Sequence, residues 1–398
     1  MPTDAPPGPA IPLGRWADRQ LRLLAAETGS PRIAALDGAT LVGERAQRGQ
    51  GFTIDGRASA GNGGSRLMAT RDGGWFALTL IRPEDRELLP ALFLGDEFDI
   101  ADDAAIAAAA ARHDCADLVA RGRLLGLPCA SADETPVSPP VAILAEGPQR
   151  LRAPGHVPLV VDLSAIWAGP LAGHLLWLAG AEVVRVESAN RPDLIRRDDP
   201  ALFELINQGK ASATIDFRDT AHRDALIDLI RRADFVIESS RVRALKQLGI
   251  DAEALVRETP GLVWLSVTGH GASGDAAHWT GIGNDCSVAG GLARAMAQAG
   301  GEIGYVGDAV ADPLTGITAA REGWRAYQSG EARRIALAMS AIVARALAEE
   351  RAFDRTAIDA ELRGWSEAKG QRFARVPRRA VTGEVRELGA DTARYFPC

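Results

Sequence analysis

Lysine is scarce in this chain, occurring only at Lys210, Lys246 and Lys369, so nearly all of the positive charge is arginine. Acidic residues outnumber basic ones, 52 to 45, for a formal net charge of -7. No basic cluster stands out. That balance argues against a general nucleic-acid binder, because phosphate contacts need Lys and Arg gathered on one surface. Cys115, Cys129, Cys286 and Cys398 are widely separated, no C-x-x-C pair occurs, and no His-x-x-x-His accompanies them. A zinc site and a disulfide framework are therefore not expected, and no metal is assigned. No run of about 18 apolar residues is present, which excludes a membrane-spanning helix. Met1 to Pro12 lacks the basic and apolar regions of a signal peptide, so a soluble, cytoplasmic protein with no membrane partner is the expectation. What remains is ordinary globular material: 398 residues, 46% hydrophobic and 24% charged, enough for two domains.

The first half reads as mixed. A helix is expected near 16–27, β-like runs at 40–42 and 51–54, a strand at 75–80 entered by the turn Asp72-Gly73-Gly74, and an acidic helix from Pro83 to Leu89. Two helices follow at 104–113 and 116–125. The proline-rich stretch around Pro139-Pro140 reads as a linker. Beyond it, short apolar runs at 159–163, 183–187, 213–217, 235–238 and 262–268 alternate with helical patterns, the signature of a parallel α/β sheet. Ligands in such sheets sit at the carboxyl ends of the strands. The expected organisation is a flexible tail (1–12), a small α+β domain (13–130), a linker (131–157), a parallel-sheet domain (158–350) and a C-terminal helical extension (351–398).

The stretch from Gly307 to Gly316 places Asp312 directly before Pro313. Proline suits the first turn of a helix and biases its predecessor away from helical geometry. Asp312 then reads as an N-cap, ionised and favoured by the helix dipole, and an ionised carboxylate can serve as an acyl nucleophile. The same spacing also describes an ordinary structural cap. The first strand of the second half, ending Asp162-Leu163-Ser164, is followed by Gly169-Pro170 and not by G-x-G-x-x-G, so nicotinamide or flavin binding has no support.

Val161-Asp162-Leu163 with Ala168-Gly169-Pro170, the run Leu178 to Glu187, Asn207-Gln208-Gly209-Lys210, Ala233 to Ser240, Ser266 to Gly271, and Asp312-x-x-Thr315-Gly316 occur in an order that resembles the class III CoA-transferases, the CaiB/BaiF family. The likeness covers roughly 158–328. It implies a Rossmann-like CoA-binding domain, which in this chain is preceded by the smaller α+β domain where the family places its small domain after it. It further implies that CoA passes between an acyl-CoA thioester and a carboxylic acid through an aspartyl intermediate on Asp312. By the same resemblance Ile166, Trp167 and Ala168 match the loop contacting CoA. Asp216 and Arg218 match the segment beside the nucleotide, and Ser239, Ser240 and Arg241 match the turn after the fourth strand. CoA enters as substrate, with no permanently bound cofactor, and a homodimer is implied.

Some features depart from that family. Ser239-Ser240 stands where Asn-Phe is frequent. Asn284 occupies the place of the histidine used by the family's racemases, which weighs against an α-methylacyl-CoA racemase or epimerase; a non-catalytic CoA-binding subunit is the other alternative. About 155 residues precede the Rossmann-like part, and the stretches 66–75 and 119–129 resemble small-domain segments of the family, as in a chain with rearranged domain order.

Overall fold

The computed structural model describes residues 9–47, 52–58, 64–95, 97–241, 243–373, 376–377 and 379–397. The sequence expectations at residues 1–8, Gly51 and Cys398 lie outside these. The chain opens with helix α1 (Gly14–Thr28) and the short α2 (Gly38–Gly43). A small antiparallel sheet of order β1-β2-β3 follows, built from β1 (Ser65–Ala69), β2 (Trp75–Thr79) and β3 (Cys129–Ser131). Helices α3 (Asp103–Ala110) and α4 (Cys115–Leu124) cover one face of it. That face buries Met68, Phe76, Leu78, Leu92, Ile106 and Leu118 as a core of its own.

The second sheet has seven strands: β4 (Val141–Gly147), β5 (Leu159–Asp162), β6 (Glu182–Ser188), β7 (Ala211–Ile215), β8 (Phe235–Glu238), β9 (Val263–Thr268) and β10 (Ala332–Ala338). Their order is β4-β10-β9-β8-β5-β6-β7, all parallel except β4, which runs antiparallel to β10. From β5 the chain winds outward to β7, then returns past β5 to β8 and winds the other way. The order reverses between β5 and β8, and that switch point opens a crevice at the strands' carboxyl ends. Helix α5 (Ala168–Leu178) follows β5 there. Helices α6 (Gly283–Ala289), α7 (Ala311–Gln328) and α8 (Met339–Glu367) complete the layers. The α/β class and the Rossmann-like sheet agree with the sequence reading.

Some segments pack differently from the expected partition. Residues 40–42 lie in α2, not in a strand. Helix α1 joins the large core: Trp16, Leu21 and Leu24 are buried with residues of α5 and α7, and Arg321 on α7 grips Glu27 at 2.9 Å. The stretch read as a linker contains edge strand β4. Strand β10 was not expected; its Ala-Arg-Arg-Ile-Ala-Leu-Ala sequence runs straight into α8 with no turn residue between. Helix α8 is interrupted at Asp354 (φ -156°, ψ 86°), whose carboxylate accepts a hydrogen bond from the Ala357 amide at 3.0 Å. Among the described residues the C-terminal part is helical only to Glu367 and again in the single turn Thr392–Tyr395; beyond 379 the chain is otherwise irregular and runs along β7, with Asp391 N donating to Ser212 O at 2.7 Å, which covers the sheet's open edge.

Beneath the crevice lies a buried ionic network. Lys210 Nζ donates to Asp162 Oδ2 at 2.8 Å, to Pro170 O at 2.7 Å and to Asn207 Oδ1 at 3.1 Å. Arg185 pairs with Asp193 at 2.6 Å and Glu187 at 3.1 Å. Burial alone would raise the Asp162 pKa, but Lys210 and Arg185 overcome it and hold the carboxyl below its usual value. Burial lowers Lys210 to about 8 against the pull of Asp162. Removing one member of a buried pair typically costs about 3–5 kcal/mol, because the other charge is stranded. Lys210→Met is therefore expected to lower unfolding free energy by that order in urea titration, and Asp162→Asn in the same background to recover part of it.

Candidate active site

Asp312 is the second residue of α7, not its cap: Val310 occupies the cap position, with no side-chain capping bond. The helix begins earlier than expected because Pro313 still falls in the first turn, where its missing N–H costs nothing. Freed from capping, the Asp312 carboxylate turns to the Ala168 backbone amide at the start of α5. Two glycines permit this. A Cβ on Gly283 would stand 1.9 Å from Asp312 Oδ2, and one on Gly316 would meet Ala168 O at 2.7 Å. The expectation of an anion favoured by the helix dipole is also corrected. Burial drives the Asp312 pKa up to about 7, opposed by the charge of Arg45 and the Ala168 amide and reinforced by Asp308. Desolvation outweighs the modest helix-dipole term.

A second buried acid stands close by. Asp285 lies near the start of α6 and accepts a hydrogen bond from Thr79 Oγ1 of β2 at 3.0 Å and from Ile282 N at 3.1 Å. Burial raises its pKa to about 7 despite these bonds, and Asp312 adds to the rise. Beside them His270, Asp285 and Cys286 bring one donor atom each within 4.8 Å of one another. Burial leaves that imidazole neutral, its pKa lowered to about 3, and pushes the Cys286 thiol well up.

Asp312 stands where two cavities meet. One, of about 160 Å³, is lined by Ile166, Ala168, Ser239, Ser240, Arg241, Thr268 and Gly269 at the switch-point crevice. It adjoins a larger groove of about 1210 Å³ between α4 and the segment 275–279, sharing Arg241, His278 and Trp279 with it. The other, of about 200 Å³, is lined by Arg45, Ser65, Thr79, Leu202 and Asn284. The small sheet thus walls this site within a single chain.

The loops after β5 and β8 are tied across the crevice, since Ala165 N donates to Ser239 Oγ at 3.0 Å. Ser240 Oγ donates to Glu238 Oε2 at 2.7 Å, and Ser164 N to Asp162 Oδ1 at 3.0 Å. Ile166 is held at φ 69° and Ala309 at φ 50°. A β-branched residue in that region is an outlier, and such strain of order 1–3 kcal/mol clusters at functional sites.

Of the residues singled out from sequence, Ile166, Trp167, Ala168, Ser239, Ser240, Arg241 and Asp312 all line these cavities. Asp216 and Arg218 do not. They follow edge strand β7, where Arg218 N donates to Asp216 Oδ1 at 2.9 Å. Sequence reasoning missed Arg45 and Thr79, which precede the parallel sheet and carry no motif. Gly283 was visible only as part of a glycine-rich run.

Residues 158–369, just over half of the chain, match the model described as CoA-transferase family III. The chain belongs to that family. It is 30% identical over 208 residues to succinate–glutarate CoA-transferase of Agrobacterium fabrum, covering 48% of this chain and 52% of that protein. It is 31% identical over 176 residues to succinyl-CoA:mesaconate CoA-transferase of Haloarcula hispanica, covering 40% and 43%. A CAIB/BAIF family protein from Brucella suis is 29% identical over 52% of this chain and 58% of that one, with a TM-score of 0.45. The chain spans about half the length of these curated family members. No helix among the described residues is long and apolar enough to cross a membrane.

A carboxyl whose pKa is raised on folding stabilises the native state below its unfolded value near 4, and that contribution is lost as pH rises through about 7. Stability should therefore fall between pH 4 and 7. Asp312→Asn should flatten this slope and exceed wild type at pH 8 by at least about 1.4 kcal/mol, one pKa unit's worth, as read by chemical denaturation across pH.

Proposed function

We propose that this protein is a CoA-transferase in which Asp312 is the nucleophile. The observation that carries the reading is the position of Asp312, buried between two cavities and walled by Gly283. The Asp312 carboxylate attacks the carbonyl of a bound acyl-CoA. A C–O bond forms, the C–S bond breaks, and CoA leaves as thiolate, giving a mixed anhydride. The thiolate then attacks the aspartyl carbonyl, releasing the first acid as carboxylate and leaving an aspartyl-CoA thioester. An incoming carboxylate reverses both steps and leaves as the new acyl-CoA, with Asp312 restored. Splitting the exchange in this way lets one site retain CoA while the acids change places.

Burial suits these steps. A poorly solvated carboxylate loses less hydration on attack, and water that would hydrolyse the anhydride is kept away. CoA runs outward from Asp312 past Ile166, Ala168, Ser239 and Ser240, with Arg241 at the junction with the larger groove as partner for its phosphates; Trp167 faces the second cavity instead. The substrates are then an acyl-CoA and a carboxylic acid, and CoA is exchanged, not permanently held. The racemase alternative needs a titratable base where Asn284 stands. That side chain instead accepts from Ala309 N at 2.7 Å, and an amide does not exchange protons usefully.

Asp312→Ala is expected to lower CoA exchange between acyl-CoA and free acid by at least about 10³-fold, with CoA affinity changed only a few-fold. Exchange by wild type should rise with pH through about 7 as Asp312 ionises. Steady-state assays by mass spectrometry of acyl-CoAs would measure both. Full exchange by Asp312→Ala would overturn the assignment.

A further inference from the structure

We propose that the cavity beside Asp312 lined by Arg45, Leu194 and Leu202 is the pocket of the exchanging acid, that it takes short monocarboxylates with an apolar tail, and that the Arg45 guanidinium pairs with their carboxylate. The assignment rests on the transfer reading above, since it presumes an acid that must reach Asp312 by a route other than the CoA crevice.

Size, lining and charge each contribute. The volume is about 200 Å³, below the roughly 300 Å³ at which pockets for drug-sized ligands begin, so a long acyl chain has no room. Leu80, Ile81, Leu194, Ile195 and Leu202 supply apolar wall. Arg45 is the one basic side chain among the described lining residues. It is engaged at one end only: Nη1 donates to Asp308 Oδ1 at 2.9 Å, and no other hydrogen bond ties it among the described residues. Its side chain is 22% exposed. A guanidinium presents five N–H donors in a fixed fork, so it can keep Asp308 and accept a second carboxylate on its remaining donors. The tail of the ligand is constrained by the same charges. Asp198, which also pairs with Arg197 at 2.6 Å, and Asp199, which accepts from Leu202 N at 3.2 Å, line this cavity too, so a second carboxylate would meet acidic groups and, among the described lining residues, no cation besides Arg45. This selects monocarboxylates over dicarboxylates.

The test is calorimetric titration of the full-length, CoA-free protein with sodium butyrate, hexanoate, octanoate and succinate. Wild type, Arg45→Gln, Arg45→Lys and Leu194→Phe would be compared, with thermal unfolding confirming that each is folded. Butyrate is expected to bind at least tenfold tighter than succinate or octanoate. Arg45→Gln should weaken butyrate by tenfold or more, Arg45→Lys should recover part of that loss, and Leu194→Phe should weaken hexanoate more than butyrate. The proposal is overturned if butyrate shows no binding into the tens of millimolar, if folded Arg45→Gln binds it unchanged, or if succinate or octanoate binds as tightly. Incubating the same preparations with butyryl-CoA separates this from the transfer reading. A CoA adduct with Arg45-independent butyrate binding removes the pocket assignment alone. Arg45-dependent binding without any adduct removes the transfer reading alone.

Discussion

The desolvation of one carboxyl group governs the arrangement of this molecule. Asp312 is buried because α7 lies against the start of α5 at glycine distance, with Gly316 under Ala168 and Gly283 against the carboxyl itself. Isolated, such a group would simply take up a proton and be inert. Arg45 and the Ala168 amide restore part of what solvent would have supplied. The result is a carboxyl poised near neutrality, the range in which a group can spend time as an anion and still gain from a dry setting. Asp308 sharpens the balance, since its charge pushes Asp312 back toward the neutral form.

That balance needs rigid surroundings, and the ionic network below the crevice provides them. Lys210 joins the end of β5 to the first turn of α5 through Asp162 and Pro170 O. The other oxygen of Asp162 holds the amide of Ser164. The loop between is thereby fixed at both ends and forced through the positive φ of Ile166. The bond from Ala165 to Ser239 carries the constraint across the point where strand order reverses. A crevice that topology alone would leave open becomes a defined surface.

Much of the large sheet was legible from sequence because its strands are buried on both faces and read as continuous apolar runs bounded by turns. Strand β10 escaped because Arg333 and Arg334 open it and alanines fill it, a pattern that suits a helix equally well. Strand β4 was hidden among prolines, and residues 40–42 were misread because a short β-branched and apolar run carries no period. At the site, the loops at strand ends and the helix start at Asp312 could be read from the pattern, while residues 166–168 and 239–241 were named through the family resemblance. The pKa of Asp312 could not, since burial is set by packing between distant elements. Arg45 and Thr79 arrive from segments 263 and 206 residues away from their partners Asp308 and Asp285, reached only through the tertiary fold. Asp216 and Arg218 show the converse: they follow the carboxyl end of a strand in the same sheet, but β7 is its edge strand, two places from β5, and neither residue lines these cavities.

The most direct test of the account is intact-protein mass spectrometry after incubation with short acyl-CoAs, with and without hydroxylamine, followed by peptide mapping. The account predicts a CoA or acyl increment on the wild type that is removed by hydroxylamine, maps to the peptide carrying Asp312, and is absent from an Asp312→Asn protein that still binds CoA. Turnover without any such increment, or an increment that persists in Asp312→Asn, would contradict it.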